Sequence, residues 1–253
     1  MTKRYDGDMK LPVLLGTIRR RILANWSVDA ATAQALLPTP LKPKLQAGKA
    51  IAGVCLIRLE DIRPELVKAL PVGITSENAA HRIAVEWDEN GVRKEGVFIW
   101  RRDSNSFLNQ LAGGRLFPGT HGAATFDIED DRERISFAMK GVDVAISLEA
   151  QASASWPQGS VFRNVDEASR FFETGSAGYS VTDDPTRLDG MHLVTEGWKV
   201  EPLHVTAAQS SFFSDTTKFP SGTATFDHAI VMRDLAHHWQ SLPDLEVGAR
   251  STS

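Results

Sequence analysis

The hydrophobic and polar positions of this chain follow mainly the periods of β-strands. Residues 50–59, AIAGVCLIRL, form a nearly continuous apolar run of strand length, which predicts a strand buried on both faces. Residues 81–100, HRIAVEWDENGVRKEGVFIW, contain two strand-like runs on either side of Asn90-Gly91. Because Asn and Gly accept the positive φ angles of a tight turn, this segment predicts a β-hairpin.

Later segments continue the strand pattern. The runs AATFDIED, RISFAMK and VDVAISLEA, which begin at residues 123, 134 and 142, predict a three-stranded meander with polar turns. Further strand-like runs, MHLV, PLHVTAA and TATFDHAIVM, begin at residues 191, 202 and 223. Residues 175–190, GSAGYSVTDDPTRLDG, are rich in turn formers and predict an excursion over the surface.

Helical spacing is confined to short segments. They cover residues 29–37, which Pro38 ends, residues 104–111, which Gly113-Gly114 end, and residues 166–173, which Gly175 ends. Ser27 is placed to cap the first segment, and Asn164 with Glu167 has capping-box spacing before the third. The pattern therefore predicts an α+β fold of mainly antiparallel β-structure with two or three short helices.

Composition narrows the classes of protein. The 253 residues are 42% hydrophobic, which is enough for one sizeable core, and we expect a single domain over residues 1–253. A net charge of −4 lacks the basic footprint of a nucleic-acid binder. The five-residue apolar run LPVLL near the N-terminus is too short for a signal-peptide core or a membrane span, so we expect no membrane contact.

Cys55 is the only cysteine in the chain. A single cysteine excludes an intramolecular disulfide framework and is typical of a cytoplasmic protein. Its position in the apolar run IAGVCLI favours a small core residue over a nucleophile.

The order of several motifs resembles that of acetoacetate decarboxylases. Asp29-Ala30 leads to Leu37-Pro38-Thr39-Pro40-Leu41, Glu77 precedes the strand HRIAV, and Asp103 precedes Phe117-Pro118 in the family's ungapped register. The resemblance covers roughly residues 15–150 and is nearest to the uncharacterised branch of the superfamily. It implies an acetoacetate decarboxylase-like curved sheet or open barrel.

The resemblance ends at the family's reactive lysine. In that family two lysines follow the Phe-Pro pair, and the first attacks a β-keto acid as a neutral amine to form a Schiff base. The matching positions here are Gly119 and Thr120, neither of which can form an imine. A further family acid falls near residues 54–56, which carry no carboxylate. The resemblance thus implies a related protein that is not a Schiff-base decarboxylase.

The resemblance also implies which residues line a cavity. They are the loop that carries Phe117, Gly119 and Thr120, the Glu77 region, and Arg19, with Arg20 and Arg21 one register slip away. His121 directly follows the loop, and its side chain is a candidate general base or hydrogen-bond donor. The alternative is a surface or capping histidine. Glu77 is a candidate acid, base or orienting carboxylate if it is buried near Arg19 or Arg82, and otherwise an exposed charge at a strand end.

Strand alternation points at least one of Arg101, Arg102 and Asp103 inward. An inward Arg102 suits bidentate recognition of a carboxylate, whereas an Arg102–Asp103 ion pair would be structural. Lys199 and Lys218 are alternative amines, although both are more typical of a solvated surface.

No metal or cofactor motif is evident. The seven histidines form no His-x-x-x-His pair, and we expect neither metal nor cofactor. His237-His238 precede Trp239 on a predicted helix, where adjacent side chains point apart and make a poor chelate.

Two functions remain open with a small organic acid or carbonyl compound as ligand, and a third, an assembly or structural role, would be favoured by a large exposed apolar patch. The first is lysine-independent, lyase-type acid–base chemistry through Glu77 and His121, which requires at least one of them to be buried beside the cavity with a perturbed pKa. The second is non-catalytic binding or sensing, which predicts an apolar cavity without convergent titratable groups. The resemblance further implies a homo-oligomer, dimeric or larger.

Overall fold

The computed structural model describes residues 13–67, 73–106 and 121–248, and thirteen β-strands of this part of the chain form one sheet. The strands are β1 Leu14–Asp29, β2 Lys42–Pro43, β3 Leu45–Gln46, β4 Lys49–Pro64, β5 Ile74–Glu89, β6 Val92–Ser104, β7 His121–Asp130, β8 Arg134–Gly141, β9 Ala145–Ala152, β10 Ala177–Val181, β11 Arg187–Thr195, β12 Glu201–Ser210 and β13 Ala224–Glu246. The described helices are α1 Ala30–Ala35 and α2 Val165–Glu173, with a 3₁₀ turn at Glu65–Val67. No helix in these ranges is both long and apolar enough to cross a membrane.

Seven strands close into a ring. Consecutive pairings run β13, β1, β4, β5, β6, β10, β11 and back to β13, and all are antiparallel except β6 with β10. Strands β7, β8, β9 and β12 continue from β6 and return to β13, so they form a second layer outside the ring. This architecture confirms the predicted α+β fold of mainly antiparallel, curved sheet.

Both faces of the ring are buried, which explains the continuous apolar run on β4. Cys55 and Ile57 belong to the core inside the ring, which α2 covers with Phe171 and Phe172. The alternate residue Leu56 packs in the outer core, between the ring and the second layer. Alternation therefore distributes apolar side chains to two cores rather than to a core and solvent.

Locally encoded elements lie where the sequence predicts them. β5 and β6 form the hairpin, with φ of 56° at Asn90 and 80° at Gly91. β7, β8 and β9 form the predicted meander. Asn164 caps α2, since its Oδ1 accepts the Glu167 N–H at 2.9 Å. The Glu167 carboxylate accepts the N–H of Arg163 rather than that of Asn164, so the reciprocal half of a capping box is displaced by one residue.

The first helix differs from its prediction. It spans Ala30–Ala35 instead of residues 29–37, and its N-cap is Asp29, not Ser27. Ser27 is still part of β1, which pairs with β13 and β4 beyond that residue. The carboxylate of Asp29 is bound to Lys49 and makes no capping hydrogen bond. Strand pairing has overridden the local capping signal.

The structure also differs from three other predictions. Residues 175–190 do not form a surface excursion, because β10 and the start of β11 pair within the ring and bury Tyr179 and Ser180. Residues 237–239 lie in strand β13 rather than in a helix. Ser104 ends β6 instead of starting a helix, and residues 107–114 of that prediction lie outside the described residues.

Candidate functional site

A cavity lies on the inner face of the ring. The volume of this cavity that is open to the centre of a water molecule is about 80 Å³. A single water needs roughly 10–15 Å³ of such volume. The cavity therefore has space for a few waters or a small organic molecule. Its polar side chains are Arg21, Cys55, Asn78, Arg82, Arg102, Asp103, His121 and Ser176. Its apolar lining includes Ile57, Leu59, Val97, Ile99, Met191, Leu193 and Trp239.

One transverse row of four strands supplies the centre of this lining. Cys55 on β4 pairs with Ala80 on β5, Ala80 with Arg102 on β6, and Arg102 with His121 on β7. Directly opposite residues on paired strands project to the same face of a sheet. The small side chain of Ala80 leaves the space between Cys55 and Arg102 open, which contributes to the cavity.

Three guanidinium groups, those of Arg21, Arg82 and Arg102, converge on the cavity. None of them forms an ion pair with a carboxylate of the described residues. Asp103, the residue after Arg102 on β6, is held by Arg101, whose Nη2 and Nε lie 2.7 and 2.9 Å from its two carboxylate oxygens. The cavity is therefore positively charged.

Burial lowers the pKa of two of these three arginines. The pKa of Arg82 is lowered to about 10 by loss of solvent, and that of Arg102 likewise to about 10. Arg102 Nε donates to Ser180 Oγ at 3.2 Å. Arg82 is only 3% exposed, and its Nη1 has no hydrogen-bond partner. A buried charge without a counter-ion is costly, so an anion in the cavity would be stabilised there.

A buried chain of hydrogen bonds holds Arg82. Its Nη2 donates to Asn25 Oδ1 at 2.9 Å, and Asn25 Nδ2 lies 3.0 Å from His228 Nε2. On the other side of that ring, His228 Nδ1 lies 2.5 Å from Asp227 Oδ1. Burial lowers the pKa of His228 despite the neighbouring carboxylate, so the ring is neutral, with Nδ1–H donating to Asp227 and Nε2 accepting from Asn25.

His121 lies beside the cavity. Burial and the positive charge of Arg102 lower its pKa to about 4, so its imidazole is neutral at pH 7. A neutral imidazole carries one donor and one acceptor nitrogen. This is the location and the perturbed pKa that the acid–base hypothesis requires of one of its two residues.

Glu77 lies on the other face of β5. Asn78 and Arg82 line the cavity, whereas the Glu77 carboxylate accepts from Arg20 Nη2 at 2.8 Å and from Arg58 Nη1 at 3.2 Å. Burial raises the pKa of Glu77, opposed by the nearby Arg20. The predicted location beside the cavity is therefore not observed for this residue, because strand alternation places it in a buried ion-pair network.

The side chains of the three consecutive arginines of β1 lie in three different environments. Arg19 is exposed and paired with Glu60 and Asp234, not with a cavity residue. Arg20 binds Glu77 and Asp130, and Arg21 lines the cavity. The β1–β4 register shifts twice before Arg20, between Leu15 and Thr17 and between Ile18 and Arg20, so counting from the family motif could not select the inward arginine.

The remaining candidate residues lie either outside the described ranges or in ion pairs. Phe117, Gly119 and Thr120 lie outside the described residues. Asp103 pairs with Arg101 rather than with Arg102. Lys199 and Lys218 are bound to Glu201 and Asp215 and do not line the cavity. The described ranges contain no cluster of histidine, cysteine and carboxylate side chains that would hold a metal ion.

The sequence left Arg21 as one of three alternatives for the cavity arginine and named Arg82 only as a possible partner of Glu77, and the support of Arg82 by Asn25 was not predicted. A signal was present, since Asn25 and Arg82 interrupt apolar strand runs in ILANW and HRIAV. A polar residue within a run that is buried on both faces needs an internal partner. The identity of that partner required the register of strands β1, β4 and β5.

Solved structures share this fold. Acetoacetate decarboxylase from Legionella pneumophila matches with a TM-score of 0.57 and 12% identity, over 96% of this chain and 93% of its own. An acetoacetate decarboxylase-like enzyme from Sphingomonas wittichii RW1 matches with a TM-score of 0.56 and 15% identity, over 98% and 99%. The enduracididine biosynthesis enzyme MppR matches in its pyruvate complex with a TM-score of 0.54 and 11% identity, over 98% and 95%.

The sequence itself matches one family. No curated protein shows significant similarity to it. The profile of DUF2071, a family described as an uncharacterized conserved protein, matches residues 16–231, which span β1 to most of β13. The chain has the acetoacetate decarboxylase-like fold and belongs to the DUF2071 family.

Proposed function

We propose that the cavity binds a small organic acid, such as an oxo acid, whose carboxylate is held by the cavity arginines. The observation that carries this proposal is the convergence of Arg21, Arg82 and Arg102 on one cavity without a carboxylate partner among the described residues. Guanidinium groups bind carboxylates through charge-assisted, often bidentate hydrogen bonds. The small volume favours ligands of a few non-hydrogen atoms.

We propose further that the ligand's carbonyl chemistry proceeds without a Schiff base. The positions that follow Phe117-Pro118 are Gly119 and Thr120, and no described lysine lines the cavity. His121 is the acid–base group of the proposal. Because the charge of Arg102 contributes to its low pKa, a bound carboxylate that neutralises this charge raises the pKa of His121 toward the range useful for proton transfer.

The relatives support the ligand class. MppR, which has the same fold, was solved in complex with pyruvate, a small oxo acid. The loop residues Phe117, Gly119 and Thr120 stay in the proposal as ligand contacts, because the family resemblance implies that this loop lines the cavity. Glu77 does not, since its carboxylate is engaged with Arg20 and Arg58 on the opposite face of β5.

Binding is tested by titrating pyruvate and acetoacetate against the neutral ketone acetone, with calorimetry or thermal shift as the readout. We expect both acids to bind, acetone not to bind, and Arg102→Gln to weaken the acids by about tenfold or more, ~1.4 kcal/mol. Lys199→Gln removes the same charge from an exposed side chain and is the matched control. Equal binding of acetone, or equal loss in both variants, would overturn the anion site.

Acid–base chemistry is tested by deuterium exchange into the methyl group of pyruvate, followed by proton NMR. The wild-type protein should accelerate the exchange and His121→Gln should abolish the acceleration while pyruvate still binds. If pyruvate binds but no exchange is accelerated, the protein is a non-catalytic binding or sensing member of its family. The two functions share the arginines and differ in the use of His121.

Two further expectations belong to the proposal. A homo-oligomer, dimeric or larger, is tested by size-exclusion chromatography with light scattering, and a single monomeric species would reject it. A cytoplasmic location, inferred from the single cysteine, is tested by fractionation of the native host.

A further inference from the structure

The sulfur of Cys55 lies in the arginine-lined cavity rather than only in the apolar core. Its Sγ accepts the Nε–H of Arg21 at 3.4 Å, and its side chain is 9% exposed. Across the sheet, Cys55 shares the transverse row that carries Arg102 and His121, separated from Arg102 only by Ala80. The only thiol of the chain therefore lines the same cavity as the guanidinium groups of Arg21, Arg82 and Arg102.

A second observation points to an anionic ligand beside this thiol. Arg82 is 3% exposed, lines the same cavity and carries an Nη1 without a hydrogen-bond partner. Its other terminal nitrogen is held by Asn25, which fixes the orientation of the guanidinium. A donor that is buried, positioned and unsatisfied is completed by a ligand oxygen. An acid bound there occupies the cavity that Cys55 also lines.

We infer that Cys55 is a reactive thiol that adds reversibly to the carbonyl carbon of a small 2-oxo acid held by the cavity arginines. The inference rests on the proposed function, since the arginines supply the anchor for the carboxylate. In the addition, a C–S bond forms, the π pair of the carbonyl moves to oxygen, and the thiol proton ends on that oxygen. The product is a hemithioacetal or hemithioketal, and no oxidant or reductant is consumed.

The chemical reason is placement rather than exceptional nucleophilicity. Holding a thiol and a carbonyl carbon in one small cavity replaces a bimolecular encounter by an intramolecular one. The guanidinium groups that line the same cavity supply positive charge for the oxygen on which negative charge develops. Cys55 would thus occupy the nucleophile's role in a cavity whose described lining contains no lysine.

The first test compares alkylation of Cys55 by anionic iodoacetate and by neutral iodoacetamide, followed by intact mass. Since Cys55 is the only cysteine, each adduct reports on one atom. The iodoacetate-to-iodoacetamide rate ratio in the native protein, divided by the same ratio in urea, should be about tenfold or more, because a cavity lined by one sign of charge concentrates counter-ions. Arg102→Gln should lower this quotient and Lys199→Gln should not.

Two results of this alkylation experiment would overturn the inference. Native protein that neither reagent labels, while unfolded protein labels fully, would show that Cys55 is an inert core residue. A quotient of one or less would show that the thiol does not share the anion site.

The second test detects the adduct directly with glyoxylate labelled with carbon-13 at the aldehyde carbon. A protein-bound tetrahedral carbon signal should appear with wild type and be absent with Cys55→Ser, whose folding is checked by its thermal unfolding. Acetate, an anion without the carbonyl, is the control ligand for binding.

The two tests distinguish failure of the Cys55 inference from failure of the proposed function. If acetate and glyoxylate stabilise the protein thermally but no adduct forms, the Cys55 inference fails and the anion site stands. If neither anion binds, the proposed function itself fails, and the inference fails with it.

Discussion

Arg82 Nη2 donates to Asn25 Oδ1 at 2.9 Å in a place where neither side chain is accessible to solvent. Asn25 is fully buried, and its amide nitrogen also contacts the Leu23 carbonyl at 3.0 Å. Through His228, the chain of hydrogen bonds continues to Asp227, whose carboxylate also accepts from the Ser160 hydroxyl and the Val161 N–H. The orientation of the cavity's most deeply buried cation is thus fixed by side chains of β1 and β13.

Removing the acceptor should destabilise the protein. Asn25→Ala leaves the buried Arg82 guanidinium without its hydrogen bond to a neutral amide, and a hydrogen bond to a charged group contributes ~1.5–3 kcal/mol. We expect the free energy of unfolding in urea to fall by about that amount and pyruvate affinity to fall with it. Gln151→Ala, which removes an exposed amide from β9, should stay within ~0.5 kcal/mol of wild type. Similar losses in both variants would contradict a role for the Asn25 bond.

The variant Glu77→Gln distinguishes a structural role of this residue from a role in ligand binding. Its carboxylate is 8% exposed and lies between Arg20 and Arg58, and removing one partner of a buried ion pair costs ~3–5 kcal/mol. Glu77→Gln should therefore lower the free energy of unfolding strongly and leave pyruvate affinity unchanged. Glu60→Gln, in a more exposed network, should cost ~0–1 kcal/mol. Loss of pyruvate binding in a still stable Glu77→Gln protein would instead return this residue to the ligand site.

Buried histidines should make stability fall at mildly acidic pH. Burial lowers the pKa of His81 to about 3 and those of His121 and His237 to about 4, from an ordinary value of 6.5. As pH falls from 6.5 toward 4, the unfolded chain takes up protons that the folded chain does not, so the free energy of unfolding decreases by up to about 1.4 kcal/mol per pH unit for each histidine. Urea titrations at several pH values measure this slope.

His81→Leu isolates one contribution to that slope. Both ring nitrogens of His81 are buried without a partner, beside Phe212 at 4.7 Å between ring centres. The variant should be at least as stable as wild type at pH 7, because an unsatisfied buried polar group is removed. It should also lose less stability between pH 6.5 and 4. An unchanged slope would mean that His81 takes up no proton on unfolding in this range.

Gly53 is required by the close approach of β1 to β4. A Cβ at this position would lie 2.8 Å from Asn25 Oδ1 and closer still to the Ala24 carbonyl oxygen. Gly53→Ala should cost ~1–3 kcal/mol by overpacking, and it should weaken pyruvate binding because Asn25 holds Arg82. Gly248→Ala, whose added Cβ meets Thr39 Cβ at 3.6 Å, should be nearly neutral in urea unfolding. Equal stability of the two variants would exclude steric crowding at Gly53.

The elements that could be predicted are those whose signal is local. Asn90-Gly91 specifies its hairpin through φ angles that the two residues tolerate, and Asn164 caps α2 with its own side chain. β10 could not be recognised, because Tyr179 and Ser180 are buried by pairing with β6, some eighty positions earlier in the sequence. Residues 237–239 likewise read as helical until β1 and β11 pair with them.

The sequence by itself determined the strand-dominated fold class, the hairpin, the meander, the capped helix α2 and the absence of lysine at positions 119 and 120. Only the tertiary structure decided that Arg21 lines the cavity while Arg19 is exposed, and that Glu77 faces away from it. Period-two alternation assigns side chains to two faces, but both faces of this ring are buried. Ring closure and register shifts, which depend on strands far apart in the chain, choose the face that becomes the cavity.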